Sequence, residues 1–478
     1  MKLSNALTSG ALVVQAATAA AAAAATTSGD LTILSMNVAG LPAILNPNDV
    51  AGGKKAAAKT IGSKFAEYGY DVIHVQEDFN YHAHLYSTDT HPFRTPTSGG
   101  VPFGSGLNTL STLPWLSGSF LRQKWDKSSC ASEFDCLTPK GFTFMRIALS
   151  PSSSSSPSSD ASDAPDGKES EVYVDFYNLH TDAGTQPLDL KARNDNLRQI
   201  TEWINHKSKG NAVLVYGDVN SRYSRAGDTG IRSLLASENP TGPAGLTDVW
   251  IEIHRNSILP SDATVCGNPA ETATCEIVDK VLYRSSPLVK LQPTAFEYAA
   301  PKFLSAEGGV LSDHNPVLVN LTWSAGQKLR QSGFWGGASY GTWFNDATIL
   351  DETPEPVKAK KITFRGGSRL DAVSLTISHS DGKGTTELVH GGRGGTESSL
   401  VLGEGEHWVK SELCQGKKGD KTRNFYIQAT TSKGRTLEAG TRTSDCKVFV
   451  SEEGWQVVGF LGESGDEVDL LGFIYGKI

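Results

Sequence analysis

The chain has 478 residues, enough for two or three domains with sizeable cores, and its 38% hydrophobic and 20% charged residues exclude a largely disordered polymer. A formal charge of −8 excludes broad electrostatic binding of nucleic acid or anionic membrane, while leaving room for a local basic groove. Beyond the N-terminus, no stretch approaches the roughly 20 apolar residues of a membrane-spanning helix.

Residues 1–25 begin with Lys2 and continue through small apolar residues with several Ala-x-Ala cleavage options. They read as a secretory signal peptide, so the mature protein is expected outside the cell. From Leu31, strand-like runs alternate with helical stretches. "LTILSMNV" predicts a strand, Lys54–Gly69 a helix with Ile61, Phe65 and Tyr68 on one face, and "DVIHVQE" a second strand. "EVYVDFYNLH" is strand-like, and Asp189–His206 predicts a helix with Leu197, Ile200 and Ile204 on one face. Ala212–Tyr216 suits a buried strand, because β-branched and aromatic residues fit a pleated surface packed on both sides. It ends at Gly217-Asp218-Val219-Asn220, where strand alternation would put Asp218 and Asn220 on one side. The Ser/Pro/Asp tract at 150–168 is too poor in apolar groups to pack and is expected to be a disordered loop.

The pattern changes near residue 325. Residues 30–324 form the expected first domain, 325–332 a linker, and 333–478 an all-β domain of short strands and Gly-rich turns without a helix. Six cysteines fall into three local couples, Cys130 with Cys136, Cys266 with Cys275, and Cys414 with Cys446. Their spacing does not match a zinc site, so disulfides are expected, with the connectivity left open by sequence.

Polar residues stand where the apolar strands of the first domain end: Asn37, Glu77, His180, Asp218, Asn220, Asp279, Asp313 and His314. Glu77 with Asp313 would suit a hard divalent cation such as Mg2+ or Mn2+, which prefers oxygen ligands. His314 beside Asp279 would form a base with its orienting carboxylate, and His180 and Asn220 would donate hydrogen bonds to a phosphoryl group. Each signal alone is weak, since Gly-Asp-x-Asn is commonly only a turn.

Taken in order, "SMNVAGL", "DVIHVQED", "YNLHTD", "VYGDVNSR", "GLTDVW", "VDKVLY" and "SDHNPV" resemble the motifs of the endonuclease/exonuclease/phosphatase superfamily, over roughly Leu31 to Trp323. The resemblance implies a four-layer α/β sandwich and Mg2+-dependent phosphoester hydrolysis. By position it implies Glu77 as a metal ligand with Asn37 and Asp313 beside it. It implies Asp218 on the attacking water, Asn220 and His180 on the phosphate, and His314, held by Asp279, completing the catalytic pair. It leaves open whether His314 or Asp218 is the base. Ala39 stands where abasic-site endonucleases carry an acidic residue. "NVAGLP" and "PFGSGLNTLSTLPW" are similar to neutral sphingomyelinases, which favours a phospholipid phosphodiester over nucleic acid, with a DNase-like endonuclease as the rival. Pro102, Phe103 and Trp115 have ordinary packing as their alternative reading.

"FWGGASYGTWFND", "HGGRGGTES" and "VVGFLGESGDEVDLLGFIYG" are similar to jacalin-type lectins, from Ser332 to Ile478, which implies an all-β prism. The resemblance implies that Gly465, Asp466, Glu467, Val468 and Asp469 grip one sugar through backbone N–H groups and the Asp469 carboxylate. Gly336 and Gly337 would let the backbone approach its ring. The expected protein is a secreted monomeric hydrolase with a phosphoester substrate and glycan partners. A lectin whose first domain is catalytically dead is the alternative from another class.

Overall fold

The computed structural model describes residues 27–45, 47, 50–126, 130, 131, 136, 138–150, 171–236, 245–338, 341–353, 356–378 and 384–478. The expected signal peptide, and all of the 150–168 tract except Ser150, lie outside the described residues.

Two mixed six-stranded sheets build the first domain. In the first, β1 (Ser28–Asn37) lies between β2 (Val72–Gln76), parallel to it, and β12 (Val317–Ala325), antiparallel to it, with β11 (Val289–Tyr298) and β4 (Asn108–Ser111) further out. In the second, β6 (Gly141–Ala148), β7 (Tyr173–His180), β8 (Val213–Asp218) and β10 (Asp279–Arg284) run side by side, with β7 and β8 parallel. Alternation along β1 and β2 sorts the side chains between the two faces. Leu34, Met36, Ile73 and Val75 pack with Ala57, Ile61 and Phe65 of helix α1 (Lys54–Tyr68), whereas Ile33 and Val72 join the core that continues into the second sheet. Leu197, Ile200 and Ile204 of helix α2 (Pro187–Lys207) belong to that second core. Gly69, at φ 59°, closes α1 in the left-handed conformation that glycine adopts without strain.

The inner faces meet through polar as well as apolar contacts. His74 of β2 stacks on Tyr216 of β8 with ring centroids 3.8 Å apart, and Gln76 Nε2 donates to Asn178 Oδ1 at 2.8 Å. Burial pushes the His74 imidazole down to about 3, so it remains a neutral aromatic plate between the sheets. The layers run helix, sheet, sheet, helix, as the sequence implies. Because β1, β2, β7 and β8 share one direction, their C-terminal ends reach a common rim.

The second domain has three sheets. They are β13 (Leu329–Gln331), β14 (Trp335–Gly336), β15 (Thr342–Asn345), β24 (Trp455–Ser464) and β25 (Val468–Lys477); β16 (Lys358–Gly366) to β19 (Thr396–Val401); and β20 (Trp408–Lys418) to β23 (Asp445–Val450). Two expectations need correction. The linker at 325–332 contains a strand, because Leu329 and Gln331 point inward while the segment pairs with Gly476–Ile474. The domain also has a short helix, Ala347–Glu352, which buries Ala347 and Leu350 and is too short to show a helical period in sequence.

The domains share a core. Trp343 lies 3.6 Å from the Arg146 guanidinium and donates its indole N–H to Lys209 O at 3.1 Å. Asn345 Nδ2 donates to Asn211 Oδ1 at 2.7 Å, and Phe334 packs edge-on against Tyr173. Lys207, in the last turn of α2, lies 3.7 Å from Glu463. These contacts gather at the start of β7 and β8, opposite the rim that carries the candidate site. Three disulfides join the expected cysteine couples, and no helix among the described residues is long and apolar enough to cross a membrane.

Candidate active site

His180, Asp218 and Asp279 stand abreast on three neighbouring strands, since the register pairs Asp218 with His180 on one side and Asp279 on the other. His180 Nε2 lies 3.2 Å from Asp218 Oδ2, and the same oxygen accepts from Asn37 Nδ2 at 3.2 Å. Asn37 Nδ2 also lies 3.3 Å from Glu77 Oε1, linking the two sheets at the rim. His314 enters from the loop before β12. Its Nδ1 is 3.0 Å from Asp279 Oδ2 and its Nε2 is 3.8 Å from Asp218 Oδ2.

Local structure explains these positions. Gly217 allows close approach, because a Cβ there would sit 2.2 Å from Leu179 O. The chain leaves the strand at Asp218, and Asn220 has φ +46°. Asp218 Oδ1 accepts from Asn220 N at 3.0 Å, and Asn220 Nδ2 donates to Thr181 O at 3.1 Å. The Asp-x-Asn spacing therefore comes from a side-chain-capped turn, which corrects the expectation from strand alternation. Ser312 Oγ donates to Asn37 O at 2.5 Å and accepts from His314 N at 3.2 Å, fixing the Asp313-His314 turn to β1. The disulfide loop Cys266–Cys275 supports that turn from behind: Asn268 Nδ2 donates to Ser312 O at 2.9 Å and Asn315 Nδ2 to Gly267 O at 2.9 Å.

The charges are strongly interdependent. Burial alone would raise the Asp218 carboxyl, but His314 and His180 hold it well below the usual carboxylate range. Burial opposes protonation of His314, yet Asp279 and Asp218 raise its affinity for the proton well above that of an ordinary imidazole. Burial raises Asp279, with His314 pulling it back. Among the described residues Glu77 Oε2, Asp279 Oδ1 and His180 Nδ1 are buried without a hydrogen-bond partner. Such atoms are costly unless a ligand uses them.

Glu77, His180, Asp218, Asn220 and His314 line a pocket of about 210 Å3 whose wall also includes Leu41, Leu45, Phe79, Val101, Thr138 and Lys140. Lys140 was not among the residues expected from sequence. It is buried just before β6, donates to Thr181 O at 3.2 Å and helps to lower Asp218. Its signal in the sequence is one lysine ahead of "GFTFM", with nothing to place it opposite Asp218. Phe103 is 80% exposed and so does not have the ordinary packing considered for it, whereas Trp115 packs against the core.

The donor set fits a hard divalent cation. The partnerless Glu77 oxygen is a carboxylate, and Asn37 and the Asp313 carboxylate belong to the same rim. Asp218, Asp279 and His314 also bring one ligand atom each within 4.8 Å of one another.

In the second domain, Gly336 N donates to Gln415 Oε1 at 3.1 Å, Gly337 N to Asp469 O at 2.9 Å and Gly465 N to Glu467 O at 3.0 Å. Asp469 is 1% exposed and its carboxylate is bound by Arg423. Glu467 accepts from Arg369 Nη2 at 2.6 Å and Lys418 Nζ at 2.9 Å. Val468 is buried, whereas Gly465 and Asp466 are exposed at the turn. The Gly465 N–H and the Asp469 carboxylate, both expected to hold a sugar, are thus engaged within the chain.

Residues 53–242 match the family described as Endonuclease/Exonuclease/phosphatase family 2, and residues 332–474 match the Jacalin-like lectin domain. A sphingomyelinase of Mycobacterium tuberculosis is 36% identical over 310 residues, covering 62% of this chain and 54% of the relative. The chain thus spans about half the length of the curated relatives that its first domain matches. Horcolin of Hordeum vulgare is 28% identical over 147 residues, 30% of this chain and 92% of that protein. Among solved structures, beta toxin from Staphylococcus aureus aligns with a TM-score of 0.39 at 17% identity, over 60% of this chain and 99% of that one. The chain joins a domain of the endonuclease/exonuclease/phosphatase type to a jacalin-like lectin domain.

Proposed function

We propose that this chain is a secreted, divalent-cation-dependent phosphodiesterase acting on a phospholipid such as sphingomyelin, with a glycan-binding second domain. The observation that carries the reading is the array Asn37–Asp218–His180 beside His314–Asp279, whose members His180, Asp218 and His314 line one pocket. A cation held by Glu77, Asn37 and Asp313 would neutralise charge on the phosphoryl oxygens. His180, Asn220 and Lys140 line the space for the phosphate, where N–H donors and an ammonium stabilise developing negative charge.

His314 is the better base. Asp218, held far below the usual range, remains ionised but binds a proton weakly. The Nε2 of His314 takes the proton of the attacking water, and Asp279 on Nδ1 stabilises the imidazolium so formed. The carboxylates that strengthen this base also keep it protonated in the free site, so its working form lies on the alkaline side. The apolar wall of Leu41, Leu45, Phe79 and Val101 favours a lipid next to the phosphodiester, in line with the sphingomyelinase relative.

Mg2+-dependent phosphocholine release from sphingomyelin vesicles, with DNA and inositol phosphates in parallel, tests the reading. Release by wild type that disappears in His314→Ala supports it. DNA cleavage without phosphocholine release would establish the nuclease instead, and equal activity in both proteins would remove the site.

A further inference from the structure

Asn220 stands at φ +46°, in the left-handed region that asparagine tolerates better than most residues, and three of its atoms are held. Its N donates to Asp218 Oδ1 and its Nδ2 to Thr181 O, and its carbonyl oxygen accepts from Arg225 Nη2. Arg225 does not line the pocket. Its guanidinium works as a fork: while Nη2 reaches Asn220 O, Nε donates to Asp228 Oδ2 at 2.6 Å.

Asp228 is fully buried, and both of its oxygens are used twice. Oδ2 also accepts from Arg222 N at 2.8 Å, and Oδ1 accepts from Arg193 Nε at 3.1 Å and Nη2 at 2.7 Å. Arg193, fully buried on α2, turns Nη1 to the carbonyls of Asp182 at 3.0 Å, Ala183 at 3.3 Å and Gly184 at 3.0 Å. Those residues follow His180 at the end of β7, and Ala183 lines the pocket. One carboxylate thus ties the turn after β8 to the segment after β7, the two pieces of chain that carry Asn220 and His180. Fold stability accounts for Arg193 and Asp228, because a buried cation needs a buried anion. It accounts less well for Arg225, whose side chain is 20% exposed and whose other bond goes to the backbone of a pocket residue.

We propose that Arg225, oriented by Asp228, is a positioning residue for phosphodiester cleavage: it fixes the Asn220 carbonyl and so aims the Asn220 amide at the phosphoryl group. The inference rests on the reading of Asn220 as a phosphate donor. The role requires the fork, since two acceptors are bound at once, and a lysine ammonium on its flexible stem does not reproduce that geometry. It is felt in the transition state, where the amide's hydrogen bond strengthens as negative charge develops, so kcat falls more than KM rises.

Steady-state kinetics of the full chain test it, on sphingomyelin vesicles or on DNA, whichever wild type cleaves. Arg225→Gln and Arg225→Lys should each lower kcat about tenfold and leave KM within about twofold of wild type. In an Asn220→Ala background, Arg225→Gln should cost less than about twofold, because its effect passes through the missing amide. Wild-type kcat in Arg225→Lys would make the residue a diffuse charge, and equal losses in both backgrounds would make it a structural one; either result overturns the proposal. Equal activity of wild type and Asn220→Ala would instead remove Asn220 from the site, and with it the reading on which the inference rests.

Discussion

The candidate phosphate pocket and the expected glycan loop are both built from carboxylates and cations, and they differ in how many of these groups are already paired. In the pocket, Glu77 Oε2, Asp279 Oδ1 and His180 Nδ1 are held in place but without partners among the described residues. In the loop, Asp469 is bound by Arg423, and Glu467 by Arg369 and Lys418 through Oε1, while its Oε2 is buried without a hydrogen-bond partner among the described residues. The first arrangement stores unused hydrogen-bonding capacity that a phosphodiester and a cation can take up. The second satisfies most of its groups internally, with Glu467 Oε2 left over, so a sugar at Asp469 must compete with Arg423. A motif can thus be complete in sequence while its donors and acceptors are already committed.

The contrast can be broken most severely at His314. Replacement by alanine should lower kcat about a thousandfold with little change in thermal stability, measured as phosphocholine release. Asp279→Asn should cost less, about tenfold to hundredfold, because it leaves Nε2 in place and removes only the group that orients Nδ1. It should also shift the alkaline rise of kcat/KM to lower pH, since the carboxylate that raises His314 is gone.

The loop gives smaller effects. Burial, assisted by Glu463, raises Asp469 to about 6 against the pull of Arg423. Its carboxylate therefore becomes protonated as pH falls through that value, well above the range of a free aspartate. Binding to a glycan surface should weaken about tenfold between pH 7 and 5, and a flat profile would show that Asp469 does not hold the sugar. The smallest effect is expected from Arg423→Gln, about two- to fivefold. Freeing the carboxylate should improve glycan binding at pH 8, while the loss of a cation that lowers Asp469 moves the pH dependence upward.

How much of this was legible in the sequence differs between the same two regions. Period-two and helical patterns located β1, β2, β7, β8, α1 and α2 to within a few residues, because these elements bury one or both faces. Since parallel strands end on one rim, the polar residues that follow them were bound to converge once the order of elements was right. What escaped was everything set by distant contacts. Lys140 acquires its place only through Thr181 O and Asp218, and Arg423 lies 46 residues from the carboxylate it binds. The Asp218–Asn220 spacing suits a strand and a turn alike, because both can present residues two apart, and the structure has the turn.

The interface around Trp343 has a consequence for tethering. Trp343, Asn345 and Glu463 meet Arg146, Asn211 and Lys207 directly, instead of being separated from them by a flexible connector. A glycan caught by the second domain would hold the pocket at one height and one tilt. The gain in local concentration would then depend sharply on how far the glycan stands from the bilayer: large at a matching height and nearly absent above or below it.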